Sequence, residues 1–131
     1  MTKAKILVVD DEIYMVDVLD VSLGMEGYGM VTALDGEEAL QKVKSEQPDL
    51  IVLDIMMPKL DGYETCRQLK SDPATRHIPV ILLSGKGRNA DQRLGFDAGA
   101  DDYITKPFSP RKLVERVNAL LDETNPQRMQ A

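Results

Sequence analysis

"LIVLDIMMPKLDG", residues 50–62, is the stretch that decides how this chain folds. Four aliphatic residues in a row, Leu50 to Leu53, run straight into a carboxylate, Asp54. An apolar run with no polar alternation reads as a strand of a parallel sheet covered on both faces. An acid closing such a run is out of place in a core, so Asp54 marks a point where the strand has something polar to meet.

The same kind of run appears in Ile6-Leu7-Val8-Val9 and Val80-Ile81-Leu82-Leu83, with weaker ones at Gly29-Met30-Val31-Thr32 and Asp102-Tyr103-Ile104-Thr105. Helix-period segments separate them. Ile13, Val16, Leu19 and Leu23 share one face of a first helix, and Ala39, Leu40 and Val43 one face of a second, which follows Asp35-Gly36. A third helix is predicted from Asp61 to about Lys70, closed by Ser71-Asp72-Pro73. A fourth spans about Asn89 to Ala98 and ends at Gly99, suited to a left-handed cap. The last follows Ser109-Pro110, a capping residue with proline at the first helical position, and its face is Leu113, Val117, Leu120 and Leu121. Strand and helix alternate five times. Right-handed crossovers turn that pattern into an α/β, flavodoxin-like, doubly wound (βα)5 fold, a five-stranded parallel sheet in order 2-1-3-4-5 with helices on both faces.

Composition narrows the function. The net charge is −6 with no basic cluster, which argues against direct nucleic-acid binding. One cysteine, Cys66, allows no internal disulfide and fits a reducing cytoplasm, and one histidine with one cysteine cannot build an ordinary zinc site. A bound metal would therefore be a hard cation on oxygen ligands. No stretch approaches the roughly 20 apolar residues that span a bilayer, so no membrane association is expected.

Doubly wound sheets bind ligands beyond the carboxyl ends of their strands, where the strand order reverses. The residues at those ends are Asp10, Asp11 and Glu12 after the first strand, Asp54 after the third, Ser84 after the fourth and Lys106-Pro107 after the fifth; the second ends blandly at Ala33-Leu34. With the first and third strands adjacent, Asp10, Asp11 and Asp54 converge in one cleft, with Ser84 and Lys106 to one side. Three close carboxylates repel and drive one pKa up. A divalent cation and an ammonium relieve that, and Mg2+ takes one or two carboxylates together with phosphate oxygens. Acids, a hydroxyl and a lysine at one edge suit phosphoryl transfer to a carboxylate.

The chain resembles the receiver domain of two-component response regulators over about residues 4–122, on "ILVVDDE", "LIVLDIMMPKLDGYE", "PVILLSGKG" and "GADDYITKPFSPRKL". The resemblance implies a role for each matching position. Asp54 is the phosphoacceptor, charged by a histidine kinase or histidine phosphotransfer protein. Asp10, Asp11, Asp54 and the backbone carbonyl of Met56 hold Mg2+, Asp11 directly and Asp10 through water. Ser84 is the switch hydroxyl, Lys106 the lysine that pairs with the phosphoryl group, and Tyr103 the aromatic that turns inward after modification. The Lys106-Pro107 bond is cis in the family. A downstream protein would bind the face made by the fourth helix, fifth strand and fifth helix. The protein would catalyse only its own phosphorylation and dephosphorylation, in the cytoplasm.

Competing readings fit less well. A haloacid-dehalogenase-type phosphotransferase also uses an aspartate after a strand and Mg2+, but carries a second acid two residues on, where Met56 stands here. A flavin binder wants a hydroxyl-rich phosphate loop after the first strand, where this chain has acids. Ser84-Gly85-Lys86-Gly87 lacks the spacing of a nucleotide P-loop. Asp101-Asp102 reads as a solvated turn, His77 as a solvated loop residue and Cys66 as an inert helix residue.

Within the family, "GADDYITKPFSP" is typical of winged-helix transcription regulators. Their symmetric dimer carries an arginine in the fourth helix and an acid early in the fifth, and here those places hold Gln92 and Lys112, with Glu123 in place of a late basic residue. A phosphorylation-dependent dimer stays open without that charge pattern. Asp72-Pro73 is similar to receivers attached to diguanylate cyclases or acting alone. The expectation is a receiver domain over 1–122, a frayed polar tail over 123–131 and no effector domain: a stand-alone receiver, with a receiver cut from a longer transcription regulator or cyclase as the alternative. Met56 and Lys86, each two residues beyond a site residue, are expected to set the phosphoryl lifetime, the bulk of Met56 by crowding water.

Overall fold

The apolar runs form strands β1 (Lys5–Val9), β2 (Gly29–Ala33), β3 (Leu50–Asp54), β4 (Val80–Ser84) and β5 (Asp102–Thr105) in the computed structural model. The helices between and after them are α1 (Ile13–Met25), α2 (Gly36–Glu46), α3 (Gly62–Ser71), α4 (Asn89–Asp97) and α5 (Pro110–Thr124). The structure describes residues 4–56, 61–85 and 89–124, so Lys86 and the expected tail beyond Thr124 lie outside the described residues. The five strands are parallel, in the order β2-β1-β3-β4-β5 expected of a doubly wound sheet.

Both faces of the sheet are covered, which is why the strands carry no polar alternation. Ile6, Val8, Leu50, Val52, Ile81, Leu83 and Ile104 pack with Leu19 and Leu23 of α1 and Leu113, Val117 and Leu121 of α5. Their alternate neighbours Leu7, Val9, Ile51, Leu53, Val80 and Leu82 pack with Ala39 and Val43 of α2 and Cys66 and Leu69 of α3. At about 1.5–3 kcal/mol for each large apolar side chain, these two layers supply the main stabilisation of the fold.

Capping residues set the helix starts. The side chains of Asp35, Asp61 and Ser109 accept from the N–H groups of Glu38 (2.8 Å), Glu64 (2.9 Å) and Lys112 (3.1 Å). Gly99 sits at φ +100°, and the bonds Gly99 N–H to Phe96 O and Ala100 N–H to Gly95 O close α4 in a Schellman motif. The Lys106-Pro107 peptide is cis.

Two expectations are corrected. Ile13 is 71% exposed rather than part of the buried face of α1, because the helix begins there, outside the sheet edge, and Leu19 and Leu23 do the burying. Tyr14, Val18, Val21 and Met25 form an exposed apolar row on the same helix. Asp101-Asp102 is a solvated turn only at Asp101, which is exposed at a bend yet not idle. Asp102 is buried within β5 and paired with Arg116 of α5, while Asp101 accepts from Val80 N–H at 2.8 Å and Lys70 Nζ at 2.9 Å. Unpaired backbone N–H groups at a sheet edge need acceptors, and Asp101 provides one.

Candidate functional site at the carboxyl edge of the sheet

Register brings the acids together. Val9 of β1 lies opposite Leu53 of β3, so Asp10 and Asp54 each stand one residue further along neighbouring strands. Ser84 closes β4 opposite Thr105, which places Lys106 just past it, and the Lys106 N–H donates to the Ser84 carbonyl at 2.6 Å. The carboxylate oxygens of Asp10, Asp11 and Asp54 lie within 4.8 Å of one another. Asp10 and Asp54 are buried and Asp11 is exposed, so the cluster opens outward through Asp11.

Lys106 reaches into this cluster. Its Nζ is 3.4 Å from Asp54 Oδ1 and 3.5 Å from Asp10 Oδ2. Asp10 Oδ1 accepts from the Glu12 N–H at 2.9 Å, but Oδ2 has no hydrogen-bond partner despite its burial; its contact with the ammonium is an ion pair at the limit of reach. Asp54 Oδ1 accepts a long bond of 3.4 Å from the Met56 N–H. Met56 itself is exposed at the rim. Ser84 is wholly buried. Tyr103 is the one expected site residue that the structure does not bring to this edge. It lies within β5 opposite Leu82, with its ring against α4 at Gly95.

Burial is the main cause of the electrostatic strain. It pushes the Asp54 carboxyl from near 3.8 up to about 6, the Asp10 charge pushes the same way, and Lys106 opposes both. Burial raises Asp10 as well, against the Glu12 N–H and Lys106. For Lys106, burial acts downward, but the charges of Asp54 and Asp10 together outweigh it and the ammonium is held more firmly than usual. One lysine therefore does not neutralise the acids. A buried carboxylate oxygen lacking a donor, in an all-oxygen cluster, fits a small hard divalent cation. Asp10, Asp11 and Asp54 offer the oxygen donors for one.

Gly62 was not singled out from the sequence, yet the site depends on it. A Cβ there would lie 2.6 Å from both the Asp54 carbonyl oxygen and Ile55 Cα, so α3 can start against the end of β3 only with glycine. The Gly62 N–H donates to the Ile55 carbonyl at 3.0 Å. The only hint in the sequence is the Asp61-Gly62 pair opening the helix.

The family model for the response regulator receiver domain matches residues 6–118. The chain is 53% identical over 117 residues to the alkaline phosphatase synthesis transcriptional regulatory protein PhoP of Bacillus subtilis (strain 168), covering 89% of this chain and 48% of that protein. It is 49% identical over 124 residues to the probable transcriptional regulator ycf27 of Guillardia theta, covering 95% of this chain and 48% of that protein. Among solved structures, the receiver domain of the Francisella response regulator 1452 superposes with a TM-score of 0.88 at 36% identity, covering 94% of this chain and all of that one (100%). The chain spans about half the length of the curated relatives it matches.

Proposed function

The chain belongs to the response regulator receiver domain family of two-component signalling, a signalling protein rather than a metabolic enzyme, and on that premise we propose that it is a switch charged by phosphoryl transfer to Asp54. The observation that carries the reading is the placement of the buried Asp54 carboxylate among Asp10, Asp11 and Lys106. With a pKa raised to about 6, Asp54 is still mostly ionised at neutral pH and more basic than an ordinary carboxylate, which favours it as a nucleophile.

In the proposed reaction an Asp54 carboxylate oxygen forms a bond to phosphorus as the bond from phosphorus to a donor histidine nitrogen breaks. The imidazole leaves and takes up a proton. Asp10, Asp11, Asp54 and the backbone carbonyl of Met56 would hold Mg2+. When bound, the cation neutralises the acids and the incoming phosphoryl oxygens. Lys106, already aimed at Asp54, pairs with a phosphoryl oxygen after transfer, and Ser84 offers a hydroxyl to another. Tyr103 and the surface of α4, β5 and α5 then change the affinity for a downstream protein.

The donor is a histidine kinase or histidine phosphotransfer protein. The apolar row Tyr14, Val18, Val21 and Met25 on α1, the helix that starts directly after the acid run, supports docking of such a protein beside the site. On output, the neutral Gln92 and basic Lys112, standing where the symmetric dimer carries an arginine and an acid, favour a receiver that acts on a protein partner without that dimer. A second reading, a receiver module within a DNA-binding regulator, is favoured by the naming of the relatives as transcriptional regulators about twice as long as this chain.

Incubation with acetyl phosphate and Mg2+, followed by intact mass and peptide mapping, tests the reaction. One phosphoryl group on Asp54, lost with EDTA and in Asp54→Ala, is the expected outcome. A phosphoryl group retained in Asp54→Ala overturns the assignment. Light scattering with and without BeF3− separates a monomeric switch from a phosphorylation-dependent dimer.

A further inference from the structure

The seat of α4 on the sheet involves almost no apolar bulk. Among the described residues its buried positions are Asp91 and Gly95, with Ala98 and Ala100 just past its end. Its large apolar residues, Leu94 and Phe96, are 48% and 49% exposed. Most helices owe their position to a buried stripe of leucine-sized side chains. Something else must locate this one.

Two phenol rings do so. The ring of Tyr103 fills the place where a side chain at residue 95 would stand: a Cβ on Gly95 would be 2.8 Å from its Cδ2 and 3.1 Å from its Cε2. Tyr63, in the first turn of α3, donates its hydroxyl proton to the backbone carbonyl of Asp91, in the first turn of α4, at 3.1 Å. Burial first, and then contact with the Tyr103 side chain, hold the proton on that same hydroxyl more firmly than usual. Tyr63 also follows Gly62, the residue pressed against the Asp54 backbone. A contiguous path therefore runs from the end of β3 through the start of α3 to both α4 and β5.

We propose that Tyr63 is a positioning residue whose hydroxyl, bonded to the Asp91 carbonyl beside the Tyr103 side chain, locks α4 and the Tyr103 ring in this seat and couples them to the Asp54 end of β3. The coupling to phosphorylation rests on the reading given in the preceding section; the lock itself does not. If the packed position of Tyr103 is the one that phosphorylation favours, reciprocity requires that whatever holds Tyr103 there also tightens binding of a phosphoryl mimic.

Tyr63→Phe removes one hydroxyl and keeps the ring. A net neutral hydrogen bond corresponds to about a two- to tenfold change in an equilibrium. Amide hydrogen exchange at Gly95 and Ala98 should speed up by that factor in Tyr63→Phe, while exchange in β1 and β3 stays at the wild-type rate. BeF3− affinity in saturating Mg2+ should fall by a similar factor, with Mg2+ affinity alone unchanged, a split that general loosening would not produce. Tyr103→Phe, which leaves the bond to the Asp91 carbonyl in place, should have a smaller effect, and the double variant should be no worse than Tyr63→Phe alone. Wild-type exchange at α4 in Tyr63→Phe, or additive effects in the double variant, overturns the lock. Failure of wild-type protein to bind BeF3− would instead overturn the phosphoacceptor reading, leaving the exchange and additivity results to decide the lock on their own.

Discussion

Replacing Asp54 with asparagine should stabilise the chain at neutral pH when Mg2+ is chelated. The folded state raises the Asp54 carboxyl from near 3.8 to about 6, chiefly by burial. At 1.36 kcal/mol per pH unit, that separation corresponds to at most about 3 kcal/mol. The sign follows from proton binding. Below both values the acid is protonated folded and unfolded, and contributes nothing. Between them the unfolded chain gives up its proton while the folded chain keeps it, so stability falls as pH rises; above about 6 the full penalty is present. Asparagine keeps the shape without the charge. Because Lys106 then loses one of its two carboxylate contacts, the net gain should be about 2 kcal/mol rather than the full amount. Urea unfolding of both proteins in EDTA, followed by circular dichroism from about pH 7.5 down to about pH 4, gives the difference directly. The gain should shrink steadily toward the acid end. Saturating Mg2+ should reverse the order, since a ligand at 100-fold its Kd adds about 2.7 kcal/mol to the protein that binds it. A pH-independent difference, or an asparagine variant less stable than wild type at neutral pH in EDTA, would refute the account of Asp54 as a strained buried acid.

Gly62→Ala should cost more than about 2 kcal/mol, because the added carbon meets backbone rather than a movable side chain, and should also slow acetyl phosphate labelling; urea melts and the labelling rate check both. Met56→Asn should accelerate loss of the phosphoryl group by opening the rim to water, measured as the decay of labelled protein; an unchanged rate would remove Met56 from the argument. Cys66 is fully buried and its thiol is pushed up to about 11 by burial, so it should resist a thiol reagent in the native state and react fully in urea.

Much of the edge was legible before the fold was known, because a polar residue that ends an unbroken apolar run stands out. Asp10, Asp54 and Ser84 were visible for that reason, Lys106 only by following the weaker run of the fifth strand, and strand order did the rest. The face of α1 was legible except at its start: Leu19 and Leu23 are buried and Val16 packs beside them, but Ile13 is exposed. The helix is apolar nearly all round, so the exposed row Tyr14, Val18, Val21 and Met25 did not stand out. The burial of Asp102 and the bonds of Asp101 were missed because their partners, Arg116 and Lys70, are distant in sequence. The meeting of Tyr63, Tyr103 and Gly95 escaped notice for the same reason. It joins three elements, and no one of them carries a pattern that announces it.

Because both sides of the sheet are equally greasy, burial alone would hardly object if β3 slid by one residue against its neighbours. Such a slide would drag Asp54 inward or pull it away from Asp10. The charged groups at the rim thus act as end-stops for strand alignment, and a variant stripped of them would lose its ruler along with its reactivity.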